Sequence, residues 1–291
     1  MCAGLMSGIL WGIPFVAPLI LQSFSPLDIT FGRFVFFGLI GLLFAPRLMY
    51  VWKSLDNKSK LELLFLSSIG FWVYTLLLTY GIQHSDGVLA SLIIGMIPLT
   101  ITIFSRPKFT PLLAIGITIL LFGFACLFSP ESISLQIMRK YSSGIIILII
   151  ALLMWTLFAI RFARFAAMRQ HIKSFDLSSI IGVINLIFII PVYLIYGNHI
   201  QHLIQSPIFS KYILVCLALG IGASWLANIF WSYCSKVCSP TICGALMVSE
   251  TVFGCLYSLI YYHRMPTLYE TIAIITLFIG MICVIKSQKH K

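Results

Sequence analysis

The segment ALMVSETVFGCLYSLIY, residues 245 to 261, is almost wholly apolar but for one carboxylate near its middle, Glu250. A charged Glu at mid-bilayer costs about 2.5 to 3.5 kcal/mol on insertion scales, and each Leu, Ile, Phe or Val returns roughly 0.3 to 0.6. The segment can therefore still insert. Steps of three and four place Cys243, Met247, Gly254, Tyr257 and Tyr261 on the Glu250 face of a helix, with Val248, Val252 and Leu259 on the other. The smaller, more polar face is expected to look into a helix bundle. Two roles fit Glu250: a cavity acid that meets a substrate cation or a proton, or a carboxyl hydrogen-bonded to a neighbouring helix for packing.

A second stripe lies just upstream, where Gly220, Ser224, Trp225, Asn228, Trp231, Ser232 and Ser235 gather on one side of a helix. Asn228 offers donors and an acceptor, and the tryptophans offer flat apolar walls with one N–H each. Such a surface suits an amphipathic metabolite, and it suits plain helix packing or an interfacial aromatic belt as well. The substrate-binding set expected from the sequence is Trp11, Trp72, Tyr74, Met96, Trp155, Trp225, Asn228 and Glu250. Arg33 is a further intramembrane charge. It either holds an anionic group or gate, or reaches the interface and pairs with Asp28. Asp86 is expected to face water beside His84, and the glycines at 4, 8 and 12 to permit a close helix crossing.

The elements that must position these residues follow from composition. Sixty per cent of the 291 residues are hydrophobic and 9% are charged, with a mean hydropathy of +1.05. That excludes a soluble globular domain. Apolar runs fall near 3 to 22, 28 to 50, 61 to 82, 86 to 105, 109 to 128, 142 to 163, 175 to 196, 211 to 233, 239 to 262 and 266 to 286. The expected fold is all-α and integral to the membrane, with ten transmembrane helices. The first run lacks a basic leader and a cleavage site, so it is expected to be a retained helix.

The net charge of +11 reads as topology rather than as a nucleic-acid surface. With a cytoplasmic N-terminus, fourteen Lys and Arg fall on the inside, including Arg47, Lys58, Arg106, Arg161, Arg169, Lys236, Lys289 and Lys291. Only Arg139, Lys140, Lys211 and Arg264 fall outside, which places both termini in the cytoplasm. The basic run RFARFAAMRQHIK, 161 to 173, suits anionic inner-leaflet lipid. Neither the eight cysteines nor the loop histidines, among them His199 and His290, have metal-ligand spacing, and no cofactor is expected.

Internal similarity organises the ten runs. Trp72 and Trp225 are 153 residues apart, as are Thr75 and Asn228, Thr79 and Ser232, and Tyr80 and Tyr233. Trp11 and Trp155 correspond at an offset of 144. Two five-helix halves, 1–128 and 142–286, would insert in opposite senses because five is odd, giving two inverted five-helix repeats with a site near the midplane.

SGILWGIPF (7 to 15), SPLDITFGRF (25 to 34), SDGVLASLIIGMIPLT (85 to 100) and ALMVSETVF (245 to 253) resemble, in order and spacing, the drug/metabolite transporter superfamily of the EamA type. Thr251 stands where the second-half motif usually has Pro, and His263 and Arg264 replace a Gly-Glu that commonly closes the ninth helix. The resemblance implies a ten-helix transporter of small metabolites, frequently an exporter, with a central cavity lined by both halves.

The expected function is a secondary transporter, an exporter of a small organic metabolite such as an amino acid, working by alternating access in a bacterial inner membrane. Its partners are the substrate, the lipid bilayer and, through Glu250, a coupled proton; no nucleic acid is expected. No nucleotide-binding loop points to ATP, and no nucleophile with a base points to an enzyme. The rival reading is a non-transporting membrane sensor or assembly factor.

Overall fold

The computed structural model describes residues 1–85, 90, 93–105, 107–127, 142–198 and 200–288. Asp86, Arg106, Arg139, Lys140, His199, Lys289, His290 and Lys291 lie outside the described residues. All regular structure among the described residues is helical. Ten apolar helices are labelled here in chain order: α1 (Cys2–Ile20), α2 (Pro26–Leu42), α3 (Asn57–Gln83), α4 (Ile93–Ser105), α5 (Pro111–Cys126), α6 (Ser142–Met168), α7 (Ser174–Tyr196), α8 (Phe209–Val237), α9 (Pro240–Tyr261) and α10 (Leu268–Ser287). Seven of these, α1, α3 and α6 to α10, are long and apolar enough to cross a membrane. The chain is a multi-pass membrane protein.

The second run was expected to continue to residue 50, but α2 ends at Leu42 and a separate helix, Ala45–Ser54, leaves it at 87°. Pro46 lies in the first turn of that helix, where a missing N–H costs nothing but where the preceding residue resists α geometry. Taken together, the bent pair makes an eighth candidate span. The α2 N-terminus carries a capping box, with the Ser25 side chain accepting from the Asp28 N–H and the Asp28 carboxylate accepting from the Ser25 N–H.

α3 and α8 are not α-helical throughout. Ser68–Trp72 in α3 and Ala218–Leu226 in α8 are π-helical, a wider geometry that shifts side chains off the 3.6-residue period and recurs at functional sites. Both α1 and α9 are interrupted near mid-span, at Gly12 and at Met247.

Glycines set the crossing of α1 with α9. A Cβ on Gly8 would stand 2.8 Å from Ser249 Cβ and 2.9 Å from the Glu250 nitrogen, and one on Gly12 would stand 2.9 Å from the Gly254 nitrogen. Only hydrogen fits there. The Ser7 hydroxyl donates to Ala227 O at 3.0 Å, tying α1 to α8 on its other side. The broadest helix pairings are α5 with α10 and α2 with α7.

The core is aromatic where the halves of the chain meet, with Phe34, Phe37, Phe158, Phe162 and Phe165 fully buried. Exposed Leu39, Ile146, Ile150, Leu153, Ile187, Leu194 and Ile275 stand on the outer faces of the spans, as lipid contact requires. The expected two-faced character of α9 does not hold. Val248, Val252 and Leu259 are buried along with Glu250, because α9 is packed by α1 on one side and by α4 and α10 on others.

Candidate functional site

A hollow opens between helices from both ends of the chain. Trp11 and Pro14 of α1, Arg33 of α2, and Gly70, Phe71, Tyr74 and Leu78 of α3 line it, with Trp155 of α6 and Glu250 of α9 completing the wall. Two of the contributing helices are interrupted close by, and the π-helical turn of α3 supplies two lining residues.

The aromatic side of the hollow is a connected set of rings. Trp11 meets Trp155 edge-on at 5.3 Å between centroids, and Tyr74 lies against Trp155 at 4.5 Å. Trp231 touches Trp11 from behind at 5.2 Å. Each such pair adds about 0.5 to 1.5 kcal/mol beyond buried area. The Trp155 indole N–H donates to Met247 Sδ at 3.4 Å, which fixes that ring's orientation at the break in α9.

The polar side consists of three groups. Arg33 is buried, its Nε donating to Ser224 Oγ at 2.7 Å and its Nη2 to Ala223 O at 3.3 Å. Both acceptors belong to the π-helical stretch of α8. Glu250 is 7% exposed, and its Oε2 has no hydrogen-bond partner among the described residues. The Tyr74 hydroxyl, also buried, has none either. Arg33 and Glu250 face the same hollow, yet among the described residues the ion pairs are Arg47–Asp176, Arg161–Glu62 and Arg264–Glu270 only. A buried polar atom left without a partner costs about 1 to 3 kcal/mol.

The structure brings together Trp11, Tyr74, Trp155 and Glu250 from the expected set. The other four stand elsewhere. Trp225 donates from its indole to Ser179 Oγ at 2.9 Å and packs edge-on to Phe175, toward α7. Trp72 offers its backbone N–H to Asn185 Oδ1 at 3.2 Å, and its buried indole nitrogen has no partner. Met96 occupies a turn and is packed against the core. Asn228 is wholly buried, with neither Nδ2 nor Oδ1 hydrogen-bonded among the described residues. Trp231 Nε1, Ser232 Oγ and Ser235 Oγ continue the same unpartnered stripe along α8.

Arg33 does not pair with Asp28 or reach the interface. Asp28 is fully buried and already satisfied, accepting from Ser25 Oγ at 2.7 Å, Tyr193 OH at 2.8 Å and Asn198 Nδ2 at 2.9 Å. Arg33, Pro14, Phe71 and Leu78 are lining residues outside the expected set. For Arg33 the signal was present in the sequence: it and Glu250 are opposite charges deep in two apolar runs.

An all-helical chain with several membrane spans and a charged hollow between its helices belongs to the class of polytopic membrane proteins. The comparisons are narrower: residues 1–129 match the model of the EamA-like transporter family. The chain is also similar to the inner membrane protein YtfF of Escherichia coli (strain K12), 26% identical over 311 aligned positions that cover 99% of this chain and 95% of that protein. A solved crystal structure of a protein matches in fold with a TM-score of 0.73 at 17% identity, covering 99% of this chain and 98% of the other.

Proposed function

We propose that this protein is a secondary transporter, an exporter of a small organic metabolite such as an amino acid, working by alternating access in a bacterial inner membrane. The observation that carries the reading is the hollow with Arg33 and Glu250 on facing helices, built from α1, α2 and α3 on one side of the chain and α6 and α9 on the other. A buried acid and base with no direct partner in each other are costly to keep for packing alone.

Ten spans in two inverted five-helix repeats, 1–128 and 142–286, fit the packing. Exchanging each helix for the one five later turns α3 against α6 into α8 against α1, and α4 against α6 into α9 against α1; all four pairings occur. The pairs α2–α7, α5–α10 and α4–α9 map onto themselves, and all three occur as well. The two π-helical stretches also correspond, since an offset of 153 carries Ser68–Trp72 onto 221–225, inside Ala218–Leu226.

With both termini cytoplasmic, Asn228, Ser232 and Ser235, unpartnered among the described residues, run along α8 toward its cytoplasmic end. This is the pattern of a path closed at one end, whose polar atoms gain water or substrate when the repeats rock.

The test is counterflow of labelled substrate in proteoliposomes. A carrier exchanges label across the membrane, whereas a sensor or assembly factor binds without exchange, and that outcome refutes the proposal. Proton coupling through Glu250 predicts that an imposed pH gradient accelerates uptake in the wild type and not in Glu250→Gln; equal response in both removes the coupling.

A further inference from the structure

We propose that Cys234, Cys238 and Cys243, at the turn between α8 and α9, form a peroxide-responsive thiol centre, in which Cys238 meets the oxidant and Cys234 and Cys243 hold the resulting disulfide. None of the three lines the hollow, and the centre does not depend on the transporter reading.

The segment CSKVCSPTIC, 234 to 243, ends α8, turns at Cys238 and Ser239 and starts α9 at Pro240. Ser239 caps α9 by accepting from the Ile242 N–H, which sets the turn and folds Cys243 back beside Cys234. Their sulfurs stand 3.7 Å apart, in van der Waals contact, so no helix has to move to bring them together. The Cys243 thiol donates to the Cys238 carbonyl at 3.9 Å, and the Cys238 thiol is within hydrogen-bonding reach of the other two. Among the described residues no group of His, Cys, Asp and Glu is arranged to hold a metal ion. The chemistry open to this cluster is that of thiols with one another.

Exposure divides the roles. Cys234 and Cys243 are 0% and 1% exposed, and α1 covers them, since a Cβ on Gly4 would stand 3.2 Å from Cys234 Sγ. Thiols so enclosed are inert toward a solute. Cys238 is half-buried between exposed Val237 and Ser239, and it is the thiol of the three that a hydroperoxide reaches. Its sulfur attacks one oxygen of hydrogen peroxide, the O–O bond breaks, the other oxygen leaves as water with the thiol proton, and Cys238 becomes a sulfenic acid. The Cys243 sulfur then attacks the Cys238 sulfur and displaces its hydroxyl, which leaves as a second water with the Cys243 proton. Cys234 exchanges into that bond, giving its proton to the departing Cys238 sulfur and leaving Cys234 joined to Cys243. Two thiols and one peroxide thus yield one disulfide and two waters. The bridge ties the end of α8 to the first turns of α9, the helix that carries Glu250, and in a reducing compartment it lasts only while oxidant is present.

The experiment treats the full chain, reduced with dithiothreitol and then freed of it, with hydrogen peroxide in native membranes and in detergent. At timed intervals the remaining thiols are alkylated with a maleimide, and the peptides are mapped by mass spectrometry. Cys126, Cys255 and Cys283, half-buried like Cys238, are the internal controls. The expected result is a bridge within the 234–243 segment that forms about tenfold or more faster than those three thiols are lost, ends as Cys234–Cys243 and is reversed by dithiothreitol. Cys238→Ser should slow bridging about tenfold. Cys243→Ser should stop the Cys234–Cys243 bridge and raise the yield of a Cys238 sulfenic acid trapped by dimedone. The wild-type map uses unaltered protein, so it decides the matter even if a variant fails to fold. The proposal is overturned if no bridge forms within the segment, or if the three control thiols are lost as fast as it forms. Bridging at the wild-type rate in Cys238→Ser overturns the entry role of Cys238.

Discussion

Replacing Gly8 by alanine tests the α1–α9 crossing that carries Glu250. The new methyl would overlap Ser249 Oγ at 1.8 Å and stand 2.8 Å from Ser249 Cβ and 2.9 Å from the Glu250 nitrogen. Rotating the serine does not resolve this, because two of the three atoms do not move with its χ1 and its Oγ is already bonded to Leu246 O at 2.6 Å. Restoring ordinary contact at 3.4 Å from the present 2.9 Å requires the helices to part by about 0.5 Å. Overpacking of this kind costs about 1 to 3 kcal/mol, against a gain of about 1 kcal/mol from replacing Gly within a helix. The net loss is therefore on the order of 1 kcal/mol, or roughly 2 to 4 °C in melting temperature. Gly222→Ala is the control, since nothing lies within 4 Å of its added Cβ. Thermal unfolding of the purified variants in one detergent should rank Gly8→Ala below wild type and Gly222→Ala at or above it. A Gly8→Ala protein as stable as wild type would show that the two helices are not held at the described separation.

Other perturbations address separate parts of the molecule. Trp225→Phe and Ser179→Ala should each lower stability by about 1 kcal/mol and the double variant by less than their sum, since both remove the same 2.9 Å hydrogen bond; an additive cycle in thermal unfolding would refute the pairing. Asp28→Asn replaces one accepting oxygen by an NH2 group; with its remaining oxygen kept toward Ser25 and Asn198 it loses the bond from Tyr193 OH, and should destabilise by about 1 to 3 kcal/mol; wild-type melting would contradict this. Asp56, the N-cap of α3, is held below the usual carboxylate range first by the Ser59 hydroxyl and more weakly by the Ser59 N–H and Arg169. A lowered folded-state pKa means the stabilisation is complete at neutral pH and is lost as pH falls through that lowered value. Asp56→Asn keeps a capping side chain, so its stability gap to wild type should shrink on acidification from pH ~7 to pH ~3, and a gap that stays constant or widens would refute the assignment.

That Glu250, Trp11, Tyr74 and Trp155 would turn inward was legible in the sequence because a polar or bulky group inside an apolar run has few places to go. The glycine crossing was legible for a similar reason, as three glycines four apart mark one helix face. Trp72 and Trp225, grouped with them on the same ground, do not line this hollow. Both lie in the π-helical stretches, where each turn holds an extra residue, so steps of three and four no longer name one face. Trp225 is thereby turned toward Phe175 and Ser179 while Asn228 and Ser232 are buried elsewhere. The bend after Leu42 was hidden because Pro46 can start a helix as readily as it can end one. Arg33 was visible, but its destination depended on Ser224, a residue 191 positions away, and no local pattern reports that.

The short helix Ala45–Ser54, set at 87° to α2, has a consequence for how the bilayer acts on Arg33. With Met49 and Tyr50 exposed beside Arg47 and Lys53, it has the amphipathic make-up of a segment that floats at the headgroup level. Such an outrigger lets the attached span tilt but resists any piston-like slide along the membrane normal. A bilayer of different thickness would then act on the depth of the Arg33 guanidinium through this helix.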